Sequence, residues 1–217
     1  MTNVKVDRKD VISDQEVNQM LSVADKLSSL FFKLRAKATL ALLETGKRRS
    51  EIASLERPDI TMDSKFLYVR FTVVKKRKKN IRTLQRIKKF TVDSQWAQYI
   101  IEYLRFLENE FQGSKYVYPS VRYFFGKGYV MNPTEHAKPQ EIWRIVKKLN
   151  EEDWPHQHRE KRAVKVIRAD ESRFGECKLE TVYRVRNALD LERETTAYNY
   201  IRRFETQKVE EEEETIG

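Results

Sequence analysis

Apolar residues recur at helical spacing near the start of the chain. Val17, Met20, Leu21, Ala24 and Leu27 follow SDQE at 13–16, where Ser13 and Glu16 have the spacing of a capping box. This predicts a helix over 13–27. FFKLRAKATLALLET predicts a second helix over about 30–45, stopped by Gly46, and RSEIASL a short third over about 49–55. After Pro58 the pattern changes. DITM reads as a short strand, and FLYVRFTVV (66–74) and LQRIKKFTV (84–92) are rich in β-branched and aromatic residues. These two runs predict an antiparallel hairpin with a long cationic tip. Residues 94–111 return to helical spacing, with Trp96, Tyr99, Ile100, Tyr103, Leu107 and Phe111 on one side. The stretch 112–138 holds three Gly and two Pro and reads as loop. Pro139 then suits the first turn of a helix, QEIWRIVKKL. Three more helices are expected, over about 157–169, 178–188 and 194–205, with a solvated tail from 208. The class is α+β and mostly α, with a small antiparallel sheet near the front.

Composition adds a partner. The chain has 217 residues, enough for a substantial core, and a net charge of +10. The run EEEEE at 210–214 lowers the charge of a still more basic body. Such a surplus points to a polyanion, nucleic acid first. A membrane partner is not expected, because no apolar run approaches the length of a bilayer span. The first ten residues hold no apolar signal segment. The single cysteine, Cys177, excludes an internal disulfide and a multi-cysteine zinc site, and fits a reducing compartment.

Four stretches could carry chemistry. Residues 75–89 hold nine Lys or Arg and no acid. A run of this density repels itself unless a polyanion is near, so it reads as a phosphate-backbone contact made by Lys75, Arg77, Lys78, Lys79 and Arg82 among others. Next, GKRRSE places an arginine just past a tight turn, where a guanidinium can grip a phosphate through two parallel hydrogen bonds. His156 and Arg159, in WPHQHR, are spaced i, i+3 and share a helix face. Finally, TTAYNYIRRF offers Tyr198 and Tyr200 beside two arginines. A phenol is a weak nucleophile unless positive charge lowers the cost of forming phenolate. Taken singly, each stretch is better explained as solvated surface or core aromatics. The three histidines are not joined by an acidic cluster, so no metal site and no cofactor are expected.

Taken in order, the four resemble the plan of the tyrosine recombinases, the phage-integrase family: TGxRxSE, a lysine-bearing β-hairpin, HxxR ahead of a helix, and a tyrosine near the C-terminus. The resemblance begins near Ser13 and runs through LALLETGKRRSEIASLERPDI. It ends in NYIR, which is similar to the surroundings of the family's nucleophile. It implies a helical catalytic domain over 13–205 with a three-stranded antiparallel sheet, an N-terminal extension over 1–12 and an acidic tail over 206–217. The family's N-terminal DNA-clamping domain would not fit into residues 1–12.

The resemblance also implies roles. The family's first arginine falls on Arg48. Its hairpin lysine falls on Lys76, with Lys75 and Lys78 as alternatives, and its HxxR pair on His156 and Arg159. Its nucleophile falls on Tyr200, which leaves Tyr198 as a packing or helper residue. Arg159 and Tyr200 stand 41 residues apart, more than is usual in the family, which implies an insertion around ESRFGECK. An alternative register uses Lys165 and Arg168 of KVIR. The family's additional His or Trp, nine positions before the tyrosine, falls on Leu191, which offers no hydrogen bond. The implied reaction is site-specific DNA strand transfer through a 3′-phosphotyrosyl intermediate, without metal or ATP, by four protomers on duplex DNA in the cytoplasm, as in mobile genetic elements. A DNA-binding protein of the same fold that no longer cuts, and a type IB topoisomerase-like nicking and closing enzyme, are the alternative readings.

Overall fold

The computed structural model describes the backbone of residues 11–77, 80–125, 128–177 and 179–216, and the side chains of these except 74–83, 123 and 206–216. Helix α1 (Asp14–Asp25) starts where the capping box predicts. The Glu16 amide donates to Ser13 Oγ at 3.2 Å, and the Ser13 amide donates back to Glu16 Oε2 at 2.7 Å. Helix α2 (Leu30–Leu43) is buried nearly all round, Ala38 to Leu43 lying out of solvent on every side, as suits a central helix. Helix α3 (Arg49–Ala53) follows at once. A 3-10 turn (Arg57–Asp59) leads to strand β1 (Ile60–Met62), then β2 (Phe66–Arg77) and β3 (Asn80–Thr91). These three form an antiparallel sheet in the order β1-β2-β3. Along β2, Leu67, Val69, Phe71 and Val73 are buried while Tyr68, Arg70 and Thr72 are not, so one sheet face packs on the helices. Helix α4 (Gln95–Glu110), capped by Ser94, packs on α2, and α5 (Pro139–Leu149) opens with proline as expected.

The remaining helices make a second core. Helices α6 (Pro155–Phe174), α7 (Leu179–Ala188) and α8 (Glu194–Ile216) pack through Ala163, Ile167, Val182, Val185, Leu189, Leu191, Ala197, Ile201 and Phe204. Leu191 is therefore a core residue. None of the helices among the described residues is long and apolar enough to cross a membrane.

The structure corrects four boundaries. The hairpin strands run to Arg77 and restart at Asn80, so Lys75, Lys76, Arg77 and Arg82 lie within paired strands, not on a long tip. The side chains of these four, and Lys78 and Lys79 altogether, lie outside the described residues. The stretch taken as loop holds a second, two-stranded sheet, β4 (Pro119–Phe124) with β5 (Gly128–His136). Pro133 is tolerated there because it falls in the register irregularity between the Ser120–Asn132 and Pro119–His136 pairs, where the ladder takes no amide from it. Helix α6 continues past 169 through the polar ADESRF, ending at Gly175 in a left-handed cap with φ 77°. The backbone of the acidic run is helical, as part of α8.

The two cores are joined by buried charge. Glu44, after α2, receives Lys161 Nζ at 3.1 Å and lies 3.0 Å from Nδ1 of the buried His158. Burial pushes the Glu44 carboxyl up, but the bonds and charges of His158 and Lys161 outweigh it and hold it below the usual range. Lys161 and Lys165 likewise hold the Asp14 carboxyl low. A carboxylate lowered on folding stabilises fully above its unfolded pKa, near 4.3 for glutamate, and this contribution drains as pH falls through the folded value. Glu44→Gln should therefore cost about 2 kcal/mol at pH 7, and its gap in Tm from the parent should close as the pH drops below about 4. Calorimetry of both proteins between pH 7 and pH 3 checks this; a gap constant with pH would refute it.

Candidate catalytic cleft

Gly46 ends the segment after α2 in the left-handed region, φ 76°, a conformation glycine enters without strain. The chain then turns outward, so that Lys47 and Arg48 precede α3. Arg48 is the N-cap residue, in extended conformation. Its amide donates to Glu51 Oε2 at 3.2 Å and its Nη1 to Glu51 Oε1 at 3.0 Å. The side chain is still 48% exposed, so the guanidinium is aimed but not enclosed.

Helix α6 supplies the facing wall. Pro155 occupies its first turn, and Gln157 accepts from the Trp154 amide at 2.5 Å. His156 and Arg159 share the inward face of that turn. Arg159 is 2% exposed, and its two terminal nitrogens donate to the carbonyls of Gly46 and Leu189. A guanidinium carries five N–H donors, so this anchoring leaves capacity for an anion. His156 is 64% exposed, with Nε2 2.9 Å from Glu160 Oε1. Glu160 also accepts from Arg203 Nη1 of α8 at 3.3 Å.

Between these walls lies a cleft of about 340 Å³. Lys47, Arg48, Arg49 and Ser50 line one side, Trp143 of α5 and Trp154 form an aromatic wall, and Pro155, His156 and Arg159 close the other. The two indoles sit 5.9 Å apart, centroid to centroid. Four permanent cations and no carboxylate are among the described lining residues. Such a site favours an anion, and two guanidiniums favour one with several oxygens.

The structure thus brings together Arg48, His156 and Arg159. The alternative pair is occupied elsewhere: Lys165 bonds Asp14 at 3.0 Å, and Arg168 stands over the Phe204 ring. Neither lines the cleft. Tyr200 does not line it either. Its ring is half-buried against the second core. It stands three residues before Arg203, on the α8 face that Arg203 ties to Glu160, which also bonds His156. Tyr198 is 47% exposed and lines a separate cavity of about 480 Å³ with Cys177, Leu179, Val182 and Arg202.

Sequence reasoning missed Lys47, Trp143, Trp154 and Asp190. Lys47 is almost fully buried, its Nζ 2.5 Å from Asp190 Oδ2 and 4.9 Å from the centroid of the Phe71 ring. Nothing local marks such a lysine as internal. From the hairpin, Arg86 Nε and Lys88 Nζ approach the same Asp190 at 3.1 and 3.5 Å. Burial pushes the Lys88 ammonium down, and the Asp190 charge opposes that.

The turn at Gly46 yields a direct test. A Cβ there would meet Leu189 Cδ2 at 2.9 Å and Arg162 Cγ at 3.1 Å, and the φ is strained for any other residue. Gly46→Ala should cost about 1–3 kcal/mol and displace the carbonyl that holds Arg159. Thermal unfolding with a DNA-binding titration reads both effects; an unchanged Tm would show that the turn can relax.

The sequence profile of the phage integrase family matches residues 10–171. Comparison with curated proteins gives no match. Among solved structures, the chain is similar to the XerH site-specific recombinase bound to its difH substrate in a pre-cleavage complex, at TM-score 0.61 and 15% identity. That likeness covers 89% of this chain and 50% of the other, so this chain spans about half the length of XerH. It is also similar to the integrase of the transposon Tn1549 in complex with a circular intermediate DNA, at TM-score 0.52 and 14% identity, over 96% of this chain and 68% of the other.

Proposed function

On the premise that this chain belongs to the phage integrase family, we propose that it is a site-specific DNA recombinase or integrase that cuts and rejoins strands through a tyrosyl-phosphate link. The observation that carries the proposal is the cationic cleft in which Arg48 and Arg159 face one space from two different elements. A scissile phosphate seated there has its non-bridging oxygens between two guanidiniums. Preorganised donors of this kind stabilise the charge that builds as the phosphorus becomes five-coordinate.

The proposed chemistry needs four further events. Tyr200 Oη attacks the phosphorus, and the bond to the 5′ oxygen breaks. His156 takes the tyrosine proton, and Lys76 gives one to the departing oxygen. The product is a 3′-phosphotyrosyl ester and a free 5′ hydroxyl. The ester conserves the phosphodiester energy, so religation to a new 5′ hydroxyl is the reverse of the same step. Tyr200 must swing from the edge of the second core into the cleft, a movement of α8 that would trade the Glu160–Arg203 tie for contact with DNA. Duplex DNA is the proposed partner, gripped along its phosphates by the basic hairpin, and strand exchange between two duplexes would use four protomers.

A second reading has one observation in its favour. Leu191 is buried in the second core and offers the phosphate no hydrogen bond, which suits a protein that binds DNA without cutting it. Covalent trapping separates the two. Supercoiled plasmid and nicked duplexes of random site sequence are mixed with protein, quenched in detergent, and the attached residue is mapped by mass spectrometry. An adduct on Tyr200 is expected; binding across the pool with no adduct would favour the binder.

A further inference from the structure

The turn between α7 and α8 meets the segment that leads into Arg48, the helix of His156 and Arg159, and the strand paired with that of Lys76. Asp190 occupies it in the left-handed region, φ 52°, the one non-glycine residue with positive φ among those described. Its side chain is 9% exposed and faces three cations from two directions. Lys47, beside Arg48, approaches Oδ2 at 2.5 Å. Arg86 and Lys88, from the strand that pairs with the Lys76 strand, approach at 3.1 and 3.5 Å. Lys88 Nζ also donates to the Ala188 carbonyl at 2.9 Å, and Arg159 donates to that of Leu189. Three consecutive residues of one turn thus hold the hairpin, the second arginine and the lysine next to the first.

These bonds close a ring. Arg159 bridges the carbonyls of Gly46 and Leu189; Lys47, next after Gly46, bonds Asp190, next after Leu189. The ring fixes Arg159 against the backbone that leads into Arg48, whose own side chain is held by Glu51. Asp190 and Glu51 together face four cations, Lys47, Arg48, Arg86 and Lys88, so the neighbourhood stays cationic and positive charge is oriented without being cancelled for an incoming phosphate.

We infer that Asp190 is a positioning residue which fixes the spacing of Arg48, Arg159 and the base of the hairpin around one phosphate. The inference rests on the recombinase reading for its effect on rate, but its structural half stands apart from it.

Asp190→Asn is the informative variant. Asparagine keeps the shape and tolerates positive φ, so only the charge is lost. In hydrogen exchange of the free protein, amides 46–50 should exchange about tenfold faster, with α4 unchanged. In single-turnover cleavage of a nicked duplex at saturating DNA, the rate should fall about 100-fold, with Kd for duplex changed less than about threefold. The variant leaves Lys47 buried with only Glu51 Oε2, at 4.0 Å, as a carboxylate neighbour and is prone to misfold. The double variant Lys47→Met with Asp190→Asn removes that charge. It should recover the Tm of the parent but not its rate. Unchanged exchange at 46–50 would overturn the inference. So would faster exchange at an unaltered cleavage rate, or a double variant that regains rate together with Tm, since Asp190 would then only neutralise a buried lysine. A parent protein that forms no adduct would sink the Tyr200 reading instead, and the exchange measurement would still decide whether Asp190 holds the ring.

Discussion

Tyr200→Phe should abolish the covalent adduct with DNA while changing the affinity for duplex by less than about twofold. Only an oxygen is removed. The ring packs at the edge of the second core, and its apolar contacts are the same in phenylalanine. Stability should change by less than about 0.5 kcal/mol, the usual range for substitutions that disturb no core or buried network. Without the hydroxyl there is no nucleophile, and neither the cationic cleft nor the basic hairpin can substitute for a missing bond-forming group. Tyr198→Phe is the matched control: Tyr198 is exposed and lines another cavity, so its adduct yield should equal that of the parent. Detergent-stable protein–DNA complexes measured for both variants decide the matter. If Tyr198→Phe is the inactive one, the nucleophile moves two places and the α8 face assigned to the cleft is wrong.

Arg159→Lys should lose both stability and rate, whereas Arg48→Lys should lose rate alone. Arg159 is enclosed, and its planar fork joins two carbonyls on separate elements. A lysine ammonium is a point charge and cannot span both carbonyls and a phosphate at once. One or two buried carbonyls are then left unpaired, at about 1–3 kcal/mol each, which for a chain of this size lowers Tm by roughly 5–15 °C. Arg48 is half-exposed and holds only Glu51, a contact worth about 1 kcal/mol or less, so its replacement should scarcely move Tm. Cleavage should fall at least about 100-fold in either variant, because each arginine supplies preorganised charge to the same phosphate. Calorimetry and single-turnover cleavage of the two variants separate the roles. Equal Tm losses would show that the ring through Gly46 and Leu189 does not carry the fold.

What was legible in the chain was whatever is written locally. Ser13 and Glu16 satisfy amides within one turn, so the start of α1 could be read from two letters. The alternation Leu67, Val69, Phe71, Val73 reports a strand with one buried face, since the period of two admits no other regular structure. Arg48, His156 and Arg159 sit in short motifs whose spacing fixes their place on a turn or helix face, and the cleft collects them. The lysines of the hairpin hid its length, because their low strand propensity masks pairing that the ladder itself enforces from Phe66 to Arg77. The β4–β5 pair hid among glycines and prolines for the same reason: neither strand is recognisable without the other. The polar end of α6 and the glutamates of α8 lack an apolar stripe, yet the helices that precede them carry on through.

By itself, then, the sequence determined the helical class, the small sheet, the basic balance and the local geometry of the arginine-bearing turn and of HxxR. Only the tertiary structure decided that Arg159, not Arg168, faces Arg48; that Leu191 is core; that Tyr200 rests outside the cleft; and that Lys47 lies buried against Asp190, 143 residues away. The physical reason is range. Caps, turns and side-chain periodicity are set within a few residues, whereas the partner of a buried charge is whichever group the packing of two cores brings near, and no local pattern encodes it.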